Sequence, residues 1–211
     1  KKKNKKGKDK DDEFGNVAGT EAGGITQVVS AFQVKLPGTE TLASGSNDVD
    51  AVTFLDTPGH AAFKAMRQSG SNGADVIVLV VASDDGVSPQ TVEIIDMYKS
   101  IARAQPGSIS MVVAMTKIDK PGINIEESMT RIENQLMEHD IYSERMAQTG
   151  SEFDAVPIYP LSGMTGEGLD DLIEGLVLQS EVMDLRADAE SRAEGLIIDA
   201  KMEKGLGVVA D

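Results

Sequence analysis

Four apolar runs, each ended by a turn of polar and glycine residues, constrain this chain more than anything else in it. They begin at Val52, Asp75, Ser110 and Val156. The clearest, Asp75–Ala82 (DVIVLVVA), is unbroken, as expected of a parallel strand covered on both faces. Val52–Leu55, rich in β-branched and aromatic residues, likewise predicts a buried strand. Helical spacing follows each run, with Ala62, Phe63 and Met66 after the first and longer stretches after the last three. Val92, Ile95, Tyr98 and Ile101 follow Ser88-Pro89-Gln90, which places Pro in a first turn, and Pro106-Gly107 breaks the pattern. Met129, Ile132 and Leu136 mark one face of Glu127–Asp140, and Leu169, Leu172, Ile173 and Leu176 mark another helix. Alternating strand and helix predict an α/β domain with a doubly wound, mostly parallel sheet. Val28–Leu36 predicts one more strand, antiparallel to the Val52 strand across the Gly, Ser, Thr and Asn-rich loop Pro37–Asp50.

The two ends differ in kind. Lys1–Lys10 holds seven Lys and one Asp, a local charge of +6 in a chain of net charge −15. Residues 1–15 are low-complexity and charged, so no structure is assigned to them. The rest is acidic, which argues against broad binding to a nucleic-acid backbone and against DNA as a partner. Residues 16–180 form the main domain, and 181–194 a charged helix or linker. From residue 195, Leu196, Ile198, Ala200 and Met202 alternate up to Gly205-Leu206-Gly207, the opening hairpin of a β domain. There is no Cys, hence no disulfide framework. No apolar run reaches the roughly 18 residues of a membrane span.

Chemistry concentrates in the turns. Ligands bind α/β sheets beyond the carboxyl ends of the strands. Three polar turns follow buried strands: Asp56-Thr57-Pro58-Gly59-His60, Thr116-Lys117-Ile118-Asp119 and Ser162-Gly163-Met164. They are expected to open at one sheet edge. Asp56 there can hold Mg²⁺ through a water, the Gly59 N–H can face a terminal phosphate, and His60 is left at its reacting end. A carboxylate at Asp119 accepts from both N1–H and N2–H₂ of guanine, a donor pair adenine lacks. Lys117 is expected to pack its stem over base and ribose, and the Ser162–Gly163 backbone to hold the base carbonyl. The plainer alternatives are a strand with a stray histidine at His60 and a turn with a surface salt bridge at Asp119. Residues 16–27, with Gly19, Gly23 and Gly24, suit a loop that exposes its backbone to a ligand.

Asn16–Gln27 (NVAGTEAGGITQ), Val52–Met66 (VTFLDTPGHAAFKAM) and Val78–Gln90 (VLVVASDDGVSPQ) resemble the GTPase domain of bacterial-type and organellar translation initiation factor 2. The resemblance continues through GLIIDAKMEKGLG, similar to the start of that family's β-barrel second domain. It implies a P-loop GTPase-like fold that takes GTP or GDP and Mg²⁺. It implies that Thr26 coordinates Mg²⁺ and senses the γ-phosphate, and that Asp56 is the water-mediated Mg²⁺ carboxylate. Gly59 becomes the γ-phosphate donor and His60 the residue that orients the attacking water. Lys117, Asp119, Ser162 and Gly163 become the guanine pocket. The implied function is GTP hydrolysis coupled to initiator tRNA placement on the small ribosomal subunit and to joining of the large one. A monomer is expected, in an organelle (mitochondrion or plastid) ahead of bacterial cytoplasm.

Three departures bear on that expectation. No GxxxxGK[ST] occurs in the sequence; the family carries this phosphate loop just before the segment matching Asn16. The chain as it stands is therefore expected not to bind GTP appreciably. Thr116 replaces the family's Asn, as it does in dynamin-like GTPases, and Met164 replaces a Lys whose stem stacks on the base. The alternative is a degenerate, non-catalytic module that retains contact with the ribosome.

Overall fold

The computed structural model describes residues 30–35, 51–57, 74–147, 153–185, 192, 200–203, 205 and 207–210. Strands β1 (Ser30–Lys35) and β2 (Ala51–Asp56) are antiparallel, from Ser30 opposite Asp56 to Lys35 opposite Ala51. Phe32 and Phe54 face each other across the pair, with stacked rings 5.4 Å apart. A second sheet is wholly parallel, in the order β3 (Val76–Ala82), β4 (Ser110–Thr116), β5 (Ile158–Pro160). Its helices are α1 (Pro89–Ala104), α2 (Ile125–Met137) and α3 (Leu169–Val182). The antiparallel strands β6 (Ala200–Glu203) and β7 (Gly207–Ala210) close the chain. Gly205 and Gly207 turn them at φ 96° and 82°, a region that costs glycine little. The sequence-predicted α/β architecture is thus present, with the antiparallel β1–β2 pair. No helix among the described residues is long and apolar enough to cross a membrane.

Two cores sandwich the parallel sheet. Ile77, Leu79 and Val81 of β3 and Met111, Val113 and Met115 of β4 point to one face. Ile95 and Tyr98 of α1 and Met129, Ile132 and Leu136 of α2 cover them. On the other face Val112 and Ala114 pack with Leu161 and with Leu172 and Leu176 of α3. Phe54, Val76, Val78 and Tyr159 lie half-buried against that second cluster, so β2 touches it through Phe54. All five residues Met111–Met115 are buried, as the central strand of three should be.

The burial expected of β3 and β2 is only partly met. Val80, in the middle of β3, is 61% exposed, and no residue of β2 is fully buried. Among the described residues, no strand pairs with β3 on the side away from β4, and β2 pairs with β1 alone. With one neighbour each, neither strand acquires the cover that two-sided packing supplies. The fourth run is also shorter than Val156–Leu161: Pro157 and Pro160 have no N–H to give a ladder. Val156 is left in an isolated bridge to Ser143.

Local chemistry sets the helix ends. Ser88 caps α1 by accepting from the Thr91 N–H, the Thr91 hydroxyl accepts in return from the Ser88 N–H, and Pro89 fills the first turn. Asn124 caps α2, taking the Glu126 and Glu127 N–H groups at 3.1 and 3.4 Å, which starts the helix at Ile125 rather than Glu127. Helix α3 ends at Val182, with Asp184 at φ 49° just beyond. At the sheet edge away from the β-strand carboxyl ends, the buried Lys99 ammonium donates to the His139 carbonyl at 2.7 Å and to Asp140 at 2.9 Å, tying α1 to the end of α2.

Candidate functional site

The register of β3 and β4 brings two turns together. Ala82 is opposite Thr116, the last residue of each strand, so Ser83-Asp84-Asp85-Gly86 and Lys117-Ile118-Asp119-Lys120 emerge side by side. Main-chain bonds join them. The Ser83 N–H donates to the Thr116 carbonyl at 2.8 Å, and the fully buried Ser83 hydroxyl donates to the Lys117 carbonyl at 3.1 Å. The Lys120 N–H reaches the same Lys117 carbonyl at 3.2 Å. Lys117 itself stands at φ 63°, a left-handed conformation uncommon for a residue with a Cβ. Such outliers persist where surroundings over-determine them, and these bonds do so. From below, the Arg131 guanidinium on α2 donates to the Ser83 carbonyl, and the Val87 N–H donates to Gln135 at 2.9 Å.

The side chains form a charge cluster over this joint. Lys117 Nζ is 3.2 Å from Asp84 and 3.3 Å from Asp85, while Lys120 Nζ bonds the second oxygen of Asp84. The Lys120 ammonium is the largest influence on Asp84, with Lys117 adding to it against partial desolvation, and the carboxyl is held down to about 2. Hydrogen bonds to Asp84 and then Asp85 push Lys117 above the ordinary lysine range. Asp119, between the two lysines, is exposed, and among the described residues its carboxylate takes no hydrogen bond or ion pair.

Strand β5 contributes the third turn. The Leu161 N–H donates to the Met115 carbonyl at 2.8 Å, so the turn that follows stands beside the Lys117 turn. Ser162 is fully buried, and its hydroxyl accepts the Met164 and Thr165 N–H groups at 3.2 and 3.1 Å. That curls Gly163–Gly166 into an exposed loop, with open space around Gly163. Gly168, at φ 76°, brings the loop back into α3. Met164 is 88% exposed, leaving no charge where the resembled family has one.

Of the sequence-predicted site, the structure gathers Lys117, Asp119, Ser162 and Gly163 at adjacent strand ends. Asp56 ends β2, half-buried, in the separate two-stranded sheet. The expectation that all three turns open from one sheet therefore holds for two of them, because no described strand links β2 to β3. The Lys117 side chain, whose stem is expected over the base, carries its ammonium in a bridge to Asp84 and Asp85. Thr26, Gly59 and His60 lie outside the described residues. Sequence reasoning took Ser83–Gly86 only as a turn; its acids, and Arg131 beneath them, belong to the site. The available signal was an acid pair ending one parallel strand and a Lys-x-x-Lys ending another.

A GTPase-like nucleotide-binding domain is the class that this sheet and these turns define. The family model described as elongation factor Tu GTP binding domain matches residues 1–181, and the chain belongs to that family of translational GTPases. The chain is 45% identical over 195 residues to translation initiation factor IF-2 of Phenylobacterium zucineum, and 41% identical over 194 residues to that of Clostridium botulinum. These alignments cover 92% of the chain but only 17% and 24% of those proteins. Among solved structures, GDP-bound aIF5B from Aeropyrum pernix superposes with a TM-score of 0.68 at 26% identity, over 92% of this chain and 37% of that one. Elongation factor SelB from Methanococcus maripaludis, at 24% identity and a TM-score of 0.51, shares the fold.

Proposed function

We propose that the chain is the guanine-nucleotide-handling part of a translation initiation factor, which hydrolyses GTP while initiator tRNA is placed on the small ribosomal subunit and the large subunit joins. The observation that carries this reading is the open Asp119 carboxylate at the end of the central strand, beside the buried Ser162 turn. Two acceptor oxygens there match the N1–H and N2–H₂ donors of guanine, and charge-assisted bonds of this kind are the strong ones. Lys117 lends an aliphatic stem to one base face, and the Gly163 N–H is exposed to the base carbonyl.

The oxygen donors fit Mg²⁺, a hard cation that keeps waters and takes few protein ligands. Among the described residues no group of three or more acids or histidines is preassembled for a metal, and Asp56 is a single carboxylate. Thr26, and Asp56 through a water, would hold the ion together with the nucleotide. Bound there, the ion would neutralise charge on the phosphates. His60 orients water toward the γ-phosphorus, the bridge to the β-phosphate breaks, and GDP and phosphate leave; positioning and charge stabilisation supply most of such catalysis.

Replacing Asp119 with Asn tests the pocket. The amide donates where xanthine presents a carbonyl, so preference in nucleoside titrations followed by NMR moves from guanosine to xanthosine by at least about tenfold. Unchanged guanosine affinity refutes the assigned contact. A second reading is a ribosome-contacting module without nucleotide binding. A fluorescent GTP analogue titrated with Mg²⁺ onto these 211 residues is expected to show no binding in the micromolar range. Micromolar or tighter binding overturns the importance given to the phosphate loop.

A further inference from the structure

Asp119 sits one residue from Lys120 and two from Lys117, yet neither lysine is paired with it. Both ammonium groups turn away to the acids that end β3: Lys120 to Asp84, and Lys117 to Asp84 and Asp85. A lysine bridged to Asp119 would occupy the oxygens that must accept from a base. We propose that Asp84 is a positioning residue for guanine recognition, which holds Lys120 and so keeps the Asp119 carboxylate open. This rests on the guanine-pocket reading above and adds a residue to it.

Three features of the joint support this role. Asp84 is the more enclosed acid, its side chain 23% exposed against 72% for Asp85, so its position is better defined. The residue before it is fixed by the bonds from Ser83 to Thr116 and Lys117 and by Arg131 on the Ser83 carbonyl, and the residue after it by the Asp85 N–H on the Ala82 carbonyl. The two lysines also differ: Lys117 has Asp85 in reserve, whereas among the described residues the Lys120 ammonium has Asp84 alone. Loss of the Asp84 charge therefore releases Lys120, the immediate neighbour of Asp119.

The experiment is an NMR titration with guanosine, a neutral probe whose attraction does not change with the protein's charge, read at the amides of residues 117–120 and 163. Asp84→Asn is expected to weaken guanosine binding about twofold to fivefold, the range of a competing exposed ion pair. Lys120→Met alone is expected to leave affinity unchanged. The double variant Asp84→Asn, Lys120→Met is expected to return to the wild-type value, which loss of turn structure alone would not allow. Asp84→Glu, which keeps the lysine acceptor, retains wild-type affinity. Binding by Asp84→Asn equal to wild type overturns the proposal, and so does a double variant as weak as the single. Wild-type protein whose amides do not respond to guanosine overturns both this proposal and the pocket on which it rests.

Discussion

Gly168 stands where the Ser162 turn passes into α3, at φ 76°, and a Cβ built on it would lie 2.2 Å from the Pro160 carbonyl oxygen and 3.1 Å from the Leu161 Cα. Replacing it with Ala imposes two separable costs. The left-handed backbone costs a residue with a Cβ about 1–2 kcal/mol. The overlap is with main chain, which cannot swing aside as a side chain can, and overpacking of that kind costs about 1–3 kcal/mol more. The total, about 2–5 kcal/mol, is large beside the about 5–15 kcal/mol of a whole domain. Gly166 supplies the control. It has φ 80° but open space around its missing Cβ, so Gly166→Ala bears the backbone cost alone. Urea unfolding of both variants, with the slope checked for constancy, gives the difference directly. If Gly168→Ala loses no more stability than Gly166→Ala, the close approach to Pro160 does not constrain this turn. Relief of the overlap must also move residues 162–167, so the guanosine response at Gly163 should weaken in Gly168→Ala and persist in Gly166→Ala.

Ile132, on α2 with 0% exposure, should cost about 2–5 kcal/mol when cut to Ala, measured by urea unfolding, whereas Leu178→Ala, at 59% exposure, should stay within about 0.5 kcal/mol. The Asp84 carboxyl is held to about 2 from an ordinary 3.8, so its stabilising effect is full above that ordinary value and disappears as pH falls through the lowered one. Asp84→Asn should therefore flatten the part of the stability–pH curve between those two values and leave the curve above them parallel; an unaltered acid limb would show the bridges to be without energetic weight.

What could be foreseen in this chain depended on whether the determining contacts were local. Helix α1 was legible because Ser88, Pro89 and Thr91 settle its start among themselves. The central strand was legible because Ser110–Thr116 is apolar enough to be buried whatever packs against it. The cover on β3 was not, since Val80 and Leu79 are similar residues and their different burial reflects which neighbouring elements are present. For α2 the start lay hidden in Asn124, whose side chain takes over two N–H groups that periodicity does not register. The residues proposed to read the base, Lys117, Asp119 and Ser162, could be placed at adjacent strand ends in advance because each belongs to a short polar motif that directly follows an apolar run. Asp84 could not. Its partners are 33 and 36 residues away, and only the parallel register of β3 on β4 makes them neighbours.

Ser83 has its N–H, its hydroxyl and its carbonyl all engaged by the neighbouring turn and by Arg131. Fixing one residue's backbone costs about 1–2 kcal/mol of conformational entropy. In this joint that entropy is lost when the domain folds, before any ligand arrives. In the proposed pocket, a base meeting the Lys117–Lys120 turn would find a surface already ordered, and the free energy of contact would not be diminished by having to arrange it. The cost appears elsewhere, as a requirement that β3 and β4 stay in register whenever the turn is to be used.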